Sequence, residues 1–505
     1  MKVPVSSTHI SQSADACYAA VKARDARFDG CFFTGVTSTG IYCRPVCSAK
    51  APKRENCRFF GHAAQAESAG FRPCLRCRPE LAPHSVLWSI QDASYILAHQ
   101  AAKLLDEPEA WTDSSPSIDK LALKLGISDR HLRRIFEAQF GVPPIQYLQT
   151  RRLLTAKQLL ADTLLPVTQI ALMSGFASLR RFNAAFAAHY RLNPTQQRRA
   201  TPQTTGSDQG ITIRLGYRPP YDVQAMLGFM QKRSISTIES ISDHAHDLWA
   251  RRTFGMEVAG KEHAGWLQMR FDDPRSQLVV TLSDSLRGVL PLVMRRVRAA
   301  FDLDADPQAI NAVLHDDFPA GDGLRVPGAL DGFELAVRAV LGQQISVAAA
   351  RTLAQRVVNH YGAPIVTPWP ELTRLFPSPS VLACAKGDEL GQLGIVRQRQ
   401  AAIVGLAKAV EGGLQLHGGA DLHVTLQALR ALPGIGDWTA QYIAMRALRW
   451  PDAFPAGDLA LHKALGVQGL KNPARLAEAA SLAWKPWRSY AVIRTWSGAW
   501  GGPAI

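Results

Sequence analysis

Apolar residues in the middle of the chain recur at helical spacing and predict two copies of one structural unit. Leu132, Ile135 and Phe136 fall on one face of a helix that follows a glycine turn, and Ser128 is its expected N-cap. A short helix, a glycine, a serine cap and an arginine-bearing helix recur in 166–186. Two short helices joined by a tight turn are typical of a helix-turn-helix, whose second helix enters the major groove of DNA.

The second helix of each copy carries arginines that indicate contact with nucleic acid. These arginines are Arg130, Arg133, Arg134, Arg180 and Arg181. Arginine reads guanine edges in the major groove or holds backbone phosphates. An ordinary helical bundle with solvated arginines is the alternative interpretation, and the presence of two matched copies argues against it.

A different helical pattern lies later in the chain. Residues 423–430 and 437–448 are predicted to be helices, and the sequence Leu-Pro-Gly-Ile-Gly at 432–436 joins them. This pattern is a helix-hairpin-helix, in which Gly434 and Gly436 let backbone N–H groups at the start of the second helix approach a DNA phosphate closely. The motif also occurs in DNA-binding proteins without catalysis, so alone it indicates only DNA binding.

A carboxylate follows the hairpin in a loop rich in glycine and proline. Asp458 directly precedes a predicted helix, where a lone Asp is most often an N-cap. The hairpin, the loop and this Asp together resemble the signature of the helix-hairpin-helix DNA glycosylases. The resemblance implies that Asp458 is catalytic and stabilises the oxocarbenium-like sugar that forms as the base leaves.

Within that superfamily, residues 211–500 resemble the AlkA family of 3-methyladenine glycosylases. The segments that carry the match are 219–222, 226–229, 333–343 and 484–491. The resemblance assigns an aromatic pocket for the flipped base to Phe229, Trp438, Tyr442 and Trp496. Alkylation at a ring nitrogen makes a base cationic, and electron-rich rings attract a cation.

Two departures from related glycosylases refine this expectation. Gln344 takes the position of the apolar wedge that fills the gap left by the flipped base. No lysine lies in 434–439, where strand-cleaving relatives carry their nucleophile. We therefore expect a monofunctional glycosylase that leaves an abasic site.

Length and charge agree with several domains that act on DNA. A chain of 505 residues predicts about three or four domains. The net charge of +15 favours a polyanionic partner, and residues 1–210 hold much of the excess, with 26 Lys and Arg against 16 Asp and Glu. No run of about 20 apolar residues suggests a membrane span, and residues 1–9 lack the apolar run of a signal peptide. A cytoplasmic protein is expected.

Four cysteines near the start of the chain predict a metal site. Cys43 and Cys47 form one close pair, Cys74 and Cys77 form another, and 26 residues separate the pairs. Such pairs can close a tetrahedral all-thiolate zinc site, and in the cytoplasm paired cysteines more often bind metal than form disulfides. On spacing alone a structural zinc site is the better interpretation, although arginines flank the thiolates.

The flanking residues and the neighbouring domain change this weighting. Residues 88–199 resemble the DNA-binding domain of AraC-type regulators, and the segments 40–47, 54–56 and 70–77 resemble the N-terminal domain of the Ada family. The resemblance implies that the four cysteines bind one Zn²⁺ and that Cys43 takes a methyl group irreversibly from a methylated DNA phosphate. A zinc-bound thiolate stays deprotonated at neutral pH, and its methylation removes one negative charge from the cluster.

The resemblances together imply a mostly α-helical multidomain protein. We expect an Ada-like α+β zinc domain at 1–85, an all-α AraC-type double helix-turn-helix domain at 86–200, a linker at 201–210, an AlkA-like α+β subdomain at 211–320 and a helical helix-hairpin-helix glycosylase core at 321–505.

The implied function is a methyl-phosphotriester-sensing transcriptional regulator fused to a glycosylase that excises alkylated purines such as 3-methyladenine. The expected partners are alkylated DNA, promoter DNA and RNA polymerase, and the chain is expected to be a monomer. Two alternatives stay open. One is a transcription factor with a structural zinc site and a non-catalytic C-terminal part. The other is a repair enzyme that its helix-turn-helix domain only tethers to DNA.

Overall fold

The structure is a computed structural model that describes residues 14–83, 93–106, 116–200, 210–242, 247–258 and 260–499. The described residues fall into two compact units, one within 1–85 and 129–203 and the other within 86–128 and 204–505. The predicted linker lies, apart from its last residue, outside the described residues. Among the helices that are described, none has the length and apolar character needed to cross a membrane.

The N-terminal part of the first unit contains a small sheet and two helices. These elements are α1 Ala14–Ala23, β1 Phe33–Val36, β2 Ile41–Cys43, β3 Cys57–Phe60, α2 Ala63–Ser68 and β4 Arg72–Pro73. The strand order is β3-β1-β2-β4, with β1 antiparallel to β2 and β3, and β2 parallel to β4. Aromatic side chains fill the space behind the sheet, and a Cβ at Gly35 would lie only 2.8 Å from the Phe60 ring. The sheet is thus built around its aromatic core.

Five helices complete the first unit. They are α5 Asp129–Phe140, α6 Pro144–Asp162, α7 Val167–Met173, α8 Leu179–Tyr190 and α9 Pro194–Ala200. The predicted second helix-turn-helix is confirmed as α7 and α8, with Gly175 in the turn at φ +84°. Ser178 caps α8, because its side chain accepts a hydrogen bond from the Arg181 backbone N–H. Phe182 and Phe186 are buried on one face of α8.

The long helix α6 carries charged side chains that form ion pairs with residues of the predicted zinc domain, whose described residues 14–83 are called the zinc module. Lys157 is 1% exposed, pairs with Glu80 and donates to the backbone carbonyl of Cys74 at 3.3 Å. Arg78 donates to Asp162 at 2.6 Å and to Glu80 at 3.0 Å. Buried charges are tolerated only when they are paired, so the module and α6 depend on each other for a stable fold.

A buried carboxyl group of the zinc module contacts α6 and has a raised pKa. Glu67, in α2, accepts hydrogen bonds from the hydroxyl groups of Tyr42 at 3.0 Å and Thr150 at 2.9 Å. Burial raises the pKa of Glu67 to about 7, although these hydroxyls and Lys157 oppose the shift. Glu67 therefore exchanges its proton near neutral pH.

Because the pKa of Glu67 is higher in the folded protein than its ordinary value of 4.5, protonation stabilises the fold. This stabilisation is complete below pH 4.5 and is lost as the pH rises through about 7. Between pH 5 and pH 8 we expect the parent protein to lose up to about 3 kcal/mol of opening free energy relative to Glu67→Gln. Hydrogen exchange of β1 and α6, compared at equal pH, measures the difference. Glu137→Gln, on the exposed face of α5, is the control, and a Glu67→Gln profile that matches the parent's would contradict the prediction.

The second unit contains a five-stranded antiparallel sheet with the order β5-β9-β8-β7-β6. Its elements are β5 Ile211–Gly216, α10 Val223–Gln231, β6 Glu239–Ile241, β7 Trp249–Val258, β8 Lys261–Asp272 and β9 Gln277–Leu282. Buried residues alternate with half-buried ones along β9, which is typical of a sheet with one face on a core. This sheet and α10 form the α+β part expected from the sequence.

Helices form the rest of the second unit. They are α3 Ala93–Asp106, α4 Ile118–Leu125, α11 Leu290–Ala300, α12 Pro307–Leu314, α13 Gly332–Leu341, α14 Val347–Tyr361, α15 Pro379–Ala383, α16 Gly387–Gln392, α17 Arg397–Glu411, α18 Leu422–Ala431, α19 Asp437–Arg446, α20 Leu459–Ala464, α21 Pro473–Ala480 and α22 Arg488–Trp496. The predicted hairpin is confirmed, with α18 and α19 on either side of residues 432–436. The two helices of the predicted first helix-turn-helix, α4 and α5, belong to different units.

Candidate active site and metal centre

The fold of the zinc module brings the four cysteines together. Cys43 ends β2, and the backbone N–H of Cys74 donates to the carbonyl of Tyr42 at 2.9 Å, which fixes the second pair beside the first. The sulfur atoms of Cys43, Cys47, Cys74 and Cys77 all lie within 4.8 Å of one another. A zinc–sulfur bond of about 2.3 Å places tetrahedral ligands about 3.8 Å apart, so the cluster fits one zinc ion.

The burial of the four-cysteine cluster also indicates that it binds a cation. Cys77 is 9% exposed, and burial raises the pKa of its thiol well above the ordinary value. A thiolate at this position is therefore stable only beside a compensating positive charge. Cys43 and Cys47 are half-buried, whereas Cys74 and Cys77 are buried.

The arginine that follows Cys43 has a structural role. Arg44 is buried and forms an ion pair with Asp29, which neutralises its charge. Its backbone N–H donates to the sulfur of Cys77 at 3.4 Å, and its guanidinium donates to the Cys77 carbonyl at 3.0 Å. Arg44 therefore holds a ligand loop in place, and its side chain does not face solvent.

A second site is built around the Asp458 carboxylate. One oxygen of Asp458 accepts from the Leu461 backbone N–H at 3.0 Å and from the Trp496 indole N–H at 3.1 Å. The other oxygen accepts from the Trp438 indole N–H at 2.9 Å. Asp458 is thus the N-cap of α20 and, through the same side chain, the link between two of the predicted pocket tryptophans.

The structure brings the predicted pocket rings together. Trp438 and Tyr442 are stacked, with centroids 5.2 Å apart and ring planes 16° from parallel. Trp496 lies 6.2 Å from Tyr442 between centroids. Phe229 joins the group through Arg446, whose guanidinium carbon lies 4.9 Å from the Phe229 centroid and 5.3 Å from that of Tyr442.

The pocket also contains two arginines that are not among the residues predicted from the sequence. The guanidinium carbon of Arg233 lies 3.7 Å from the Phe229 centroid, and Arg446 contacts both Phe229 and Tyr442. Each arginine follows a pocket ring by four residues. In α19 this spacing puts Tyr442 and Arg446 on one helical face, whereas Arg233 lies two residues beyond the end of α10. That spacing is the signal that could have found them.

The predicted wedge lies on a loop tied to the hairpin. Gln344 is exposed and has a left-handed backbone at φ +55°. Its neighbour Gln343 donates to the Gly434 carbonyl at 2.8 Å and to the Thr439 hydroxyl at 2.9 Å. A Cβ at Gly434, where φ is +84°, would lie 2.9 Å from Ala402. Gly434 thus lets the hairpin pack closely on its neighbour.

The remaining predicted DNA contacts lie on the surface. Gly436, the N-cap of α19, is exposed, and no described atom lies within 4 Å of the place a Cβ would take. The five arginines of the helix-turn-helix motifs are all exposed on α5 and α8: Arg130, Arg133, Arg134, Arg180 and Arg181. Their roles in DNA binding stay predictions.

Four family descriptions match consecutive parts of the chain. They are "Metal binding domain of Ada" at 16–80, "Helix-turn-helix domain" at 121–200, "AlkA N-terminal domain" at 212–331 and "HhH-GPD superfamily base excision DNA repair protein" at 337–489. These matches follow the order of the resemblances found in the sequence.

One curated relative matches almost the entire chain. The "Probable bifunctional transcriptional activator/DNA repair enzyme AlkA" of Mycobacterium tuberculosis (strain CDC 1551 / Oshkosh) is 36% identical over 492 residues, which cover 95% of each protein. The chain belongs to this family of bifunctional AlkA proteins. The four-cysteine cluster and the match to the Ada metal-binding domain make it a zinc protein.

Two further relatives match separate parts of the chain. "DNA-3-methyladenine glycosylase 2" of Escherichia coli (strain K12) is 36% identical over 283 residues, or 56% of this chain and 95% of the relative. The "Bifunctional transcriptional activator/DNA repair enzyme Ada" of the same strain is 35% identical over 147 residues, or 29% of this chain and 38% of the relative. The fusion expected from the sequence is confirmed.

The geometry of the four cysteines predicts one zinc ion per chain, and metal analysis by atomic absorption measures it. Cys74→Ser removes a buried ligand and is expected to lower the zinc content to near zero, because a hydroxyl is a poor zinc ligand. Cys384→Ser, at an exposed cysteine of the other unit, serves as the control and keeps the full content. Retention of zinc by Cys74→Ser would contradict the assignment.

Proposed function

We propose that this chain removes alkylated purines from DNA through Asp458 and registers methylated DNA phosphates through Cys43. The glycosylase half rests on one observation: the Asp458 carboxylate lies against two tryptophans of an aromatic pocket, held by their indole N–H groups. A carboxylate at the edge of such a pocket suits cleavage of the bond between a stacked base and its sugar.

The glycosylase step separates charge across the glycosidic bond. The flipped base stacks on the pocket rings, the bond between C1′ and the base nitrogen breaks, and its electron pair leaves with the base. The sugar becomes positive beside Asp458, and a water molecule adds to C1′ and gives up its proton. The name of the Escherichia coli relative supports 3-methyladenine as one substrate. The hairpin segment 434–439 contains no lysine, which supports a monofunctional enzyme.

The methyl transfer is a substitution at carbon. The Cys43 thiolate forms an S–CH₃ bond as the O–CH₃ bond of the phosphotriester breaks, and the phosphate becomes an ordinary diester. Zinc keeps the ligand sulfurs deprotonated and so supplies a nucleophile at neutral pH. The place of Cys43 within a segment that matches the metal-binding domain of Ada supports it as the acceptor, and Cys43 is one of the two ligands that are only half-buried. The modified cluster carries one negative charge less and is repelled less by the DNA backbone.

The regulatory half of the proposed function concerns promoter DNA and transcription. We propose that the exposed arginines of α5 and α8 hold promoter DNA and that the methylated protein, as a monomer, contacts RNA polymerase. The word "activator" in the name of the Mycobacterium tuberculosis relative supports this partner. A cytoplasmic location is also proposed, because zinc-bound thiolates persist in a reducing compartment. We also propose the domain limits 1–85, 86–200, 211–320 and 321–505, with a linker at 201–210.

Asp458→Asn separates catalysis from folding. An amide oxygen can still accept the Leu461 and Trp496 N–H groups, so α20 keeps its cap. The amide NH₂ cannot accept the Trp438 N–H, and the negative charge beside the sugar is lost. We expect a loss of about 10²-fold or more in excision of 3-methyladenine from duplex DNA, with a fall in Tm of only a few degrees, because one of the three hydrogen bonds is lost. Asp222→Asn is the matched control, because Asp222 caps α10 by the same kind of bond. Unchanged excision by Asp458→Asn would overturn the active site.

Mass spectrometry after incubation with DNA that carries methylphosphotriesters tests the acceptor. We expect one methyl group on the peptide that contains Cys43 and none on the other ligand cysteines. Cys384→Ser is expected to accept methyl normally. A methyl group on Cys74, or no transfer to the zinc-loaded protein, would favour the alternative in which the zinc is only structural.

A further inference from the structure

Two arginines lie on the faces of the pocket rings. The guanidinium carbon of Arg233 lies 3.7 Å from the Phe229 centroid, and that of Arg446 lies 4.9 Å from Phe229 and 5.3 Å from Tyr442. Cations within about 6 Å of a ring face are attracted to its π electrons. Part of the aromatic surface that would attract a cationic base is therefore already engaged by the protein's own cations.

Arg446 is fixed before any substrate arrives. It is 8% exposed and donates to the carbonyls of Pro327 at 2.7 Å and Gly328 at 3.2 Å. Its remaining terminal nitrogen donates to the Tyr442 hydroxyl. All three contacts are with neutral groups, so they orient the guanidinium without cancelling its charge.

Arg233 is also held in place at the end of α10. It donates to the Phe229 carbonyl at 3.2 Å, and its own carbonyl accepts a hydrogen bond from Arg338 at 3.0 Å. Arg338 in turn forms ion pairs with Glu239 and Glu334. The structure shows no Asp or Glu paired with Arg233 or Arg446 among the residues that it describes. Both positive charges remain available to the pocket.

The Tyr442 hydroxyl reports the field that these charges produce. Burial raises the pKa of this hydroxyl, but the charges of Arg446, Arg233 and Arg338 and the hydrogen bond from Arg446 together outweigh burial and hold the pKa below its ordinary value. A tyrosine in an apolar pocket shows the opposite direction. The direction of this shift agrees with positive charge beside the Tyr442 hydroxyl.

We propose that Arg233 and Arg446 form a cationic wall that stabilises the negative charge gained by the base when the glycosidic bond breaks. Within this wall, Arg233 sets how tightly cationic lesions are bound relative to neutral lesions. This inference rests on the proposed glycosylase function. The wall and the Asp458 carboxylate carry opposite charges within one pocket. Together they form a field that favours the movement of electrons from the sugar to the base.

The charge balance of the reaction shows how the wall acts. When the glycosidic bond breaks, its electron pair stays with the base, so an alkylated cationic base leaves neutral. A neutral base leaves as an anion that then takes a proton from water. In both cases the base gains one negative charge, which the wall stabilises relative to the starting state. Before cleavage, however, the wall repels only the cationic base.

Rate and binding should therefore respond differently to loss of the charge. Arg233→Met removes the charge and keeps an unbranched apolar chain over Phe229. In single-turnover assays on duplexes that contain 7-methylguanine or hypoxanthine, we expect the maximal rate to fall about tenfold for each lesion that the parent excises. In the Asp458→Asn background, which prevents excision, we expect 7-methylguanine DNA to bind several-fold more tightly and hypoxanthine DNA to bind as before.

Two variants separate charge from packing. Arg233→Lys keeps the charge but loses the planar stacking, and it is expected to recover most of the maximal rate. Arg275→Met, at an exposed arginine that pairs with Asp272, is the control and is expected to behave like the parent. A rise in the pKa of Tyr442 in Arg233→Met, measured by NMR titration, is the readout that a packing role would not move.

The outcomes distinguish this inference from the function on which it rests. A parent protein that excises neither lesion nor 3-methyladenine would overturn the proposed glycosylase. An active parent whose maximal rate is unchanged in Arg233→Met would overturn the wall alone. Weaker binding of 7-methylguanine and hypoxanthine DNA by Arg233→Met, with no recovery in Arg233→Lys, would assign Arg233 to packing and also overturn the wall.

Discussion

The pocket of the second unit depends on how one carboxylate is satisfied. Asp458 accepts N–H groups from α19, α20 and α22, so three helices meet at two oxygen atoms. Each of these donors favours one orientation of the carboxylate, and the same contacts hold the Trp438 and Trp496 indole N–H groups against it. Because Trp438 lies four residues before Tyr442, the same contact also sets the position of the stacked pair. The hydrogen bonds of Asp458 and the packing of the pocket rings therefore depend on each other.

The sequence predicted those parts of the fold whose signals are local. Glycine turns, serine caps and helical spacing placed α7, α8, α18 and α19 correctly, because such signals act within a few residues. The cysteine pairs predicted the metal centre, since close pairs of ligands need little help from the fold. Phe229 and Trp496 come from distant parts of the chain, and resemblance to a known family was needed to assign them to the pocket.

What the sequence could not reveal are contacts in which a polar residue is buried. Lys157 stands on a helix with other polar residues and would be assigned to a solvated face, yet it is 1% exposed. Its partner Glu80 lies in another domain of the predicted scheme, so no local pattern links the two. Arg233 is an intermediate case. Its four-residue spacing from Phe229 is visible in the sequence, but an arginine after a helix is expected in water and not above an aromatic ring.

The contact of Lys157 with the Cys74 carbonyl and with Glu80 has a consequence for domain shuffling. A zinc module transplanted onto an unrelated helical regulator would bring a buried glutamate with no lysine to meet it. The donor chain, stripped of the module, would lose the contacts of Lys157 with Glu80 and with the Cys74 carbonyl. We therefore expect the module to keep its stability in a recombined protein only when α6 is transferred with it.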